Sequence, residues 1–222
     1  MTMQKVGPAP TICRVNETLT VTQLAARAPL RTIRTSDLAT VYAYPRAEAR
    51  AAERRGLLHR LAHGFYCAVP PEHDAAAWRP TIEAAAAGIA TAIYGDRVPV
   101  LTGLTAACVH RALPRAIGAA FVAVPGQRRP LQLVDRPGRI HFVMRAVADL
   151  DAVLVTTDLG RALATTPEQT VLDLGRADPR GEDADAQEAI AALWPECDQT
   201  VLAEIAGHQR MRATLKRLRA KR

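Results

Sequence analysis

The stretch PRAEARAAERRGLLHRLAHGFY, residues 45–66, decides how the amino-terminal third of the chain is read. Proline fixes φ near the helical value and suits a first turn, while glycine suits the left-handed position after a last one. A helix is therefore predicted from about Pro45 to Arg55, closed by Gly56. On it Arg46, Arg50 and Arg54 recur every fourth residue and form one stripe. Ala47 and Ala51 beside the stripe are small enough to approach a groove, and Ala49 and Ala52 face the body. Past Gly56 the pattern turns β-like: residues 57–61 and 65–69 are short strand-prone runs. Ala62-His63-Gly64 joins them, Gly64 can supply positive φ, and Pro70-Pro71 closes the second run.

Working outward toward the amino terminus, Val21, Leu24, Ala25 and Ala28 have helical spacing that stops at Pro29. Thr35-Ser36-Asp37 offers a cap to a second helix whose buried face is Leu38, Val41 and Tyr42. Residues 1–19 carry Pro8 and Pro10 without periodicity and are expected to be loose. Helix, helix, Arg-striped helix and hairpin is the order of a winged helix-turn-helix, here residues 20–71. In that arrangement the third helix enters the major groove, and an arginine can pair bidentately with guanine. Arg46, Arg50 and Arg54 are the candidate base readers. Ser36, Arg55, His59, Arg60 and His63 complete the candidate DNA-contacting set, the hairpin residues placed for phosphate or the adjacent minor groove. The competing reading is a solvated, charged helix face. His59 and His63 lie on a strand and turn with no nearby carboxylate or cysteine in sequence, which disfavours a metal site.

Charge agrees with a polyanion-facing amino terminus. The 222 residues carry a net charge of +7, but unevenly. Residues 1–71 hold 10 basic and 4 acidic side chains, residues 72–206 hold 12 and 18, and residues 207–222 hold 7 and none. Two basic ends thus flank an acidic middle. Aromatic residues make up 4%, too few for a stacking platform on single-stranded nucleic acid. Ser36 is the only serine, so Gly-x-Ser-x-Gly cannot be written. The four cysteines are far apart, which argues against a zinc ribbon, a redox dithiol or a disulfide framework. No signal core or stretch of about 20 apolar residues is present, so a soluble cytoplasmic protein without a membrane partner is expected.

Residues 72–222 read as a mixed α/β domain, making the whole chain α+β. Helices are predicted over residues 81–94, 104–113, 166–175 and 184–194, the third opened by Thr166 and Gln169 as a capping box. Strands are predicted over 98–101, 121–124, 140–145 and 152–156. From about Thr200, Val201, Ile205, His208, Met211, Leu215 and Leu218 describe one amphipathic basic helix. Its Arg210, Arg212, Lys216, Arg217 and Arg219 are candidate partner contacts.

Three segments carry a family resemblance: residues 53–66, the Leu-Thr-Gly-Leu-Thr-Ala-Ala-Cys-Val-His run at 101–110, and Thr-Thr-Pro-Glu-Gln-Thr-Val-Leu-Asp-Leu at 165–174. Together they resemble the AbiEi antitoxins of bacterial toxin–antitoxin operons. The resemblance implies a winged helix that binds inverted repeats in its own promoter and represses the operon. It also implies a carboxy-terminal domain that neutralises a cognate nucleotidyltransferase toxin. By position Arg46, Arg50 and Arg54 take the base-reading role and Arg60 the wing role. Gln169, Thr170 and Asp173 read as a cap and a helix face. A ligand-sensing winged-helix regulator is the alternative, and would need an apolar pocket. Phosphorylation of the toxin is a further alternative, yet no phosphate-binding loop or kinase motif is present, and Asp158, Asp173 and Arg161 stand in no catalytic spacing. No cofactor or metal is expected.

Overall fold

The computed structural model describes residues 19–115 and 117–221, so the expectation for 1–19 falls almost wholly outside them. The fold is mixed α+β, with two sheets. The amino-terminal part runs α1 (Val21–Arg27), β1 (Thr32–Arg34), a short 3-10 turn (Asp37–Thr40), α2 (Pro45–Arg54), β2 (Leu58–Ala62) and β3 (Phe65–Ala68). Its three strands are antiparallel in the order β1-β3-β2.

Helix α1 is opened by a complete capping box between Thr20 and Gln23. Helix α2 has Pro45 in its first turn, buries Ala49 and Ala52, and gives way to Gly56 at φ +72. The predicted second helix is only the 3-10 turn. Leu38 is buried but Val41 is exposed, and Ser36 makes no cap bond. The reason is local: Asp37 is taken by the Arg34 guanidinium, at 2.8 Å from Nη2, so the first turn is anchored backward to β1.

Strand β3 explains how this part is seated. All four of its residues are buried because both faces of its sheet are covered. Side chains alternate across a strand, and Tyr66 and Ala68 join Val21, Ala25, Ile33, Ala49 and Ala52 in a small core under α1 and α2. Phe65 and Cys67 point the other way, into a core with Leu61, Ala86, Ile89, Leu133 and Leu159. Residue 71 is therefore no boundary in packing. The centre of that shared core is α3 (Ile82–Tyr94), which buries Ala84 through Thr91 almost all round. Gly88 is required there, since a Cβ would stand 2.4 Å from Thr32 Oγ1 of β1.

The second sheet has six strands in the order β6-β7-β5-β4-β9-β8. They are β4 (Val100–Leu101), β5 (Ala119–Val124), β6 (Leu131–Gln132), β7 (Arg139–Met144), β8 (Ala152–Thr157) and β9 (Gly160–Thr165). Pairings β5–β7 and β4–β9 are parallel and the rest antiparallel. Strands β1, β6 and β9 escaped the sequence reading. Gly160-Arg-Ala-Leu-Ala-Thr has no strand-favouring composition, and becomes one because β4 and β8 flank it.

Helices α4 (Gly103–Val109), α5 (Pro167–Ala177), α6 (Ala184–Leu193), α7 (Gln199–His208) and α8 (Arg212–Ala220) build a second core, including Leu172, Ile190, Leu202 and Leu215. The single carboxy-terminal helix is corrected to two. The chain breaks at Arg210, at φ +58, so that Met211 can bury and Leu215 and Leu218 can reach α5. Among the described residues no helix is long and apolar enough to cross a membrane.

Candidate nucleic-acid interface

A cleft of about 400 Å³ lies between α2 and the β2–β3 hairpin, lined by Thr35, Arg46, Arg50, Arg60, His63, Gly64 and Tyr66. Arg46 and Arg50, one turn apart on α2, form one wall. Arg60 of β2 stands directly across the ladder from Tyr66 of β3, and the turn supplies His63 and Gly64. Gly64 holds φ +80, and its carbonyl accepts the Thr35 N–H at 2.9 Å, which ties the end of β1 to the turn. Three guanidinium groups thus converge, and among the described residues no carboxylate lines the cleft.

The cleft's hydrogen bonds are incomplete. Arg60 Nη2 donates to His63 Nδ1 at 2.7 Å, so in this state the ring is neutral and carries its proton on Nε2. Arg60 Nε is buried and has no acceptor among the described residues. Burial pushes the Tyr66 hydroxyl above the usual range, the nearby Glu53 carboxylate adds to that, and the Arg60 and Arg50 charges pull it only part of the way back. Tyr66 therefore keeps its proton near neutral pH. Sequence reading missed Tyr66 and Thr35. Tyr66 looks like one more apolar strand residue, and only its register opposite Arg60 reveals it.

The remaining candidates separate. Arg54 and Arg55 are exposed outside the cleft lining, and Arg55 Nε donates to the Ala51 carbonyl at 3.2 Å, closing its own helix. Ser36 is exposed, with Oγ 3.4 Å from Asp37 Oδ1. His59 departs from the set. Its Nε2 lies 2.9 Å from Asp135 Oδ2, a carboxylate 76 residues away that no local spacing announces. The Trp78 ring meets His59 edge-on, and Arg136 Nη2 donates to the same Asp135 oxygen at 2.8 Å. Burial would raise the Asp135 carboxyl, but His59 and Arg136 overcome that and hold it at about 2. The backbone reinforces the seam, with Val134 N–H donating to the Leu61 carbonyl at 3.0 Å. His59 thus fastens the hairpin to the second sheet's loop.

A second polar cluster lies under the second sheet. Asp173 Oδ1 accepts from Arg145 Nη1 and from Gln169 Nε2, both at 3.1 Å, and its Oδ2 accepts from the Thr102 hydroxyl at 3.1 Å. Gln209 Nε2 donates to Gln169 Oε1 at 2.6 Å, and Thr165 and Thr170 share a bond of 2.7 Å. Gln169 and Thr170 are fully buried. Thr166 caps α5 as predicted, but the Gln169 side chain is diverted into this network instead of returning to the cap.

Among the predicted partner contacts, Arg217 Nη2 donates to the Gly175 carbonyl and Arg219 Nη2 to the Gln199 carbonyl, each at 3.3 Å. They fasten α8 to its neighbours, while Arg210, Arg212 and Lys216 are exposed. Burial pushes the thiols of Cys67 and Cys197 up to about 12 and that of the half-buried Cys108 to about 11, away from the thiolate form; Cys13 lies outside the described residues. Among the described residues no group of three His, Cys, Asp or Glu could hold a metal ion.

No protein-family model matches the chain, and no curated protein does. Among solved structures it is similar to the crystal structure of the RV2827C protein from Mycobacterium tuberculosis. The match has a TM-score of 0.52 at 20% identity, over 85% of this chain and 70% of that one, a likeness of fold alone.

Proposed function

We propose that the chain is an antitoxin of the AbiEi kind, which binds operator DNA through an amino-terminal winged helix-turn-helix and represses its own operon. The observation that carries the DNA reading is the cleft, where Arg46, Arg50 and Arg60 converge with no carboxylate among the described lining residues. The order α1, β1, 3-10 turn, α2, β2, β3 fits a winged helix with an added strand β1, and supports α2 as the groove-entering helix. The second part would neutralise a nucleotidyltransferase toxin. That half rests on the resemblance of residues 101–110 and 165–174, and on exposed Arg210, Arg212 and Lys216 at the basic carboxy terminus.

The test is fluorescence anisotropy of the full chain on its own upstream DNA and on a scrambled duplex at two salt concentrations. The native sequence is expected to be preferred by about tenfold or more at moderate salt, since each mismatched base pair typically costs about 1–3 kcal/mol. Equal binding to both duplexes, quenched by salt, would reduce the arginines to a generic polyanion surface. Co-purification with the adjacent gene product is expected if the antitoxin half is right, and its absence with DNA binding intact would leave a plain regulator.

A further inference from the structure

The sequence places Arg46, Arg50 and Arg54 in one stripe with one role, but the structure divides them. Arg50 lines the cleft together with Arg60 and Tyr66, while Arg54 lies outside it. Among the described residues Arg60 makes no ion pair, although the Glu53 charge reaches Tyr66, its neighbour across the ladder. Arg60 Nη2 has only the imidazole of His63, and its buried Nε has no acceptor among the described residues. A guanidinium is a rigid fork of N–H donors that is completed by a planar or tetrahedral oxyanion. Among the described residues none lines this cleft. Tyr66, kept protonated, adds a hydroxyl to the same space, while the Thr35 hydroxyl donates to the Gly64 carbonyl at 3.5 Å.

We infer that this cleft is a clamp for one backbone phosphodiester of duplex DNA, held between Arg50 and Arg60, and that base reading on α2 falls to Arg54. The inference rests on the DNA-binding reading given above and sharpens it. In a duplex the groove floor carries base edges and the rims carry phosphates. With α2 seated in the groove as proposed above, the cleft on its hairpin side would meet a rim, and Arg54, outside the cleft, would be left for the floor.

The test uses the full chain and 20-bp duplexes of preferred and scrambled sequence, titrated at four salt concentrations. Arg50→Ala and Arg60→Ala are each expected to weaken both duplexes alike, by about tenfold, because hydrogen bonds to charged groups are typically of that size. Both ligate one phosphate, so the double variant should lose no more than about 0.9 of salt slope, and each single variant no more than the double. Arg54→Ala should instead lower preference for the native sequence and leave the slope unchanged. Loss of sequence preference on Arg50→Ala would overturn the clamp, as would a double variant that loses about 1.8 of slope, the amount for two separate phosphates. Arg60→Lys keeps the charge without the fork and is expected to recover the slope but not the full affinity, which separates ligation from misfolding. If the wild-type chain binds no duplex, the DNA reading fails, and pyrophosphate decides the site by itself. Thermal stabilisation by pyrophosphate that disappears in Arg60→Ala retains an oxyanion site, and its absence in the wild type overturns it.

Discussion

Two clusters of arginines and polar side chains in this protein have opposite chemistry. Around Asp173 each charge is answered: Arg145, Gln169, Thr102 and Gln209 donate and accept among themselves, and the glutamine and threonines are buried. Around Arg60 the donors outnumber the acceptors, with Arg46 and Arg50 exposed beside it. A closed network in low dielectric fixes one arrangement of elements, here α5 against β7, β9 and the α7–α8 break. An open set of donors at a surface gains little for the fold and is completed by something from outside. Residue type alone separates neither; satisfaction does.

The seam between the two parts gives the most severe way to break this comparison. Removing residues 1–71 takes Leu30, Leu61, Phe65 and Cys67 out of a core they share with α3. The fragment 72–222 should fail to give a cooperative urea transition, and a sharp transition near that of the full chain would show that the second part is independent. Next in size is Asp173→Ala, which strands Arg145 and Gln169. It should cost about 3 kcal/mol in urea unfolding, as breaking a buried ion pair does, without altering the salt slope of DNA binding. A loss under 1 kcal/mol would mean that the network is not what holds α5.

Asp135 follows. Its carboxyl is held at about 2, below the ordinary 3.8, so its contribution is fully present above pH 5 and fades as pH falls through 4 toward 2. A shift of that size corresponds to about 2 kcal/mol at pH 7. Asp135→Asn should lose about that much at pH 7, and the gap to wild type should narrow by pH 3; a constant gap would assign the effect to packing. The smallest effect belongs to the cleft. Arg46→Ala and Arg50→Ala should stay within about 0.5 kcal/mol of wild-type stability, because exposed side chains outside a closed network rarely contribute more. A loss of 2 kcal/mol would make the arginines part of the fold.

Local reading fared best where one short segment carries the whole physics. The α2 helix, its closing Gly56, the hairpin turn at Gly64 and the Thr166 cap were all legible, because each depends on residues within five positions. It fared worst where distant segments decide. Strand β9 is poor in strand-favouring residues, Thr165 apart, and β1 is three residues long; both exist through their neighbours. The candidate site was half legible. Arg46, Arg50, Arg60 and His63 do meet in one cleft, but His59 is drawn off by Asp135, and Tyr66 was hidden among apolar neighbours.

By itself the sequence determined the positions of α1, α2, α3, α5 and α6, the basic charge of both ends and the arginine spacing on α2. Helical periodicity and net charge are properties of short windows. Only the tertiary structure decided that the hairpin's two faces serve two cores. It also decided that a histidine four residues from another faces a carboxylate 76 positions away, and that one arginine stripe divides between a cleft and an open face. Those outcomes depend on which remote backbone supplies an acceptor or covers an apolar face, and hydrogen-bond satisfaction is settled only when the whole chain has packed.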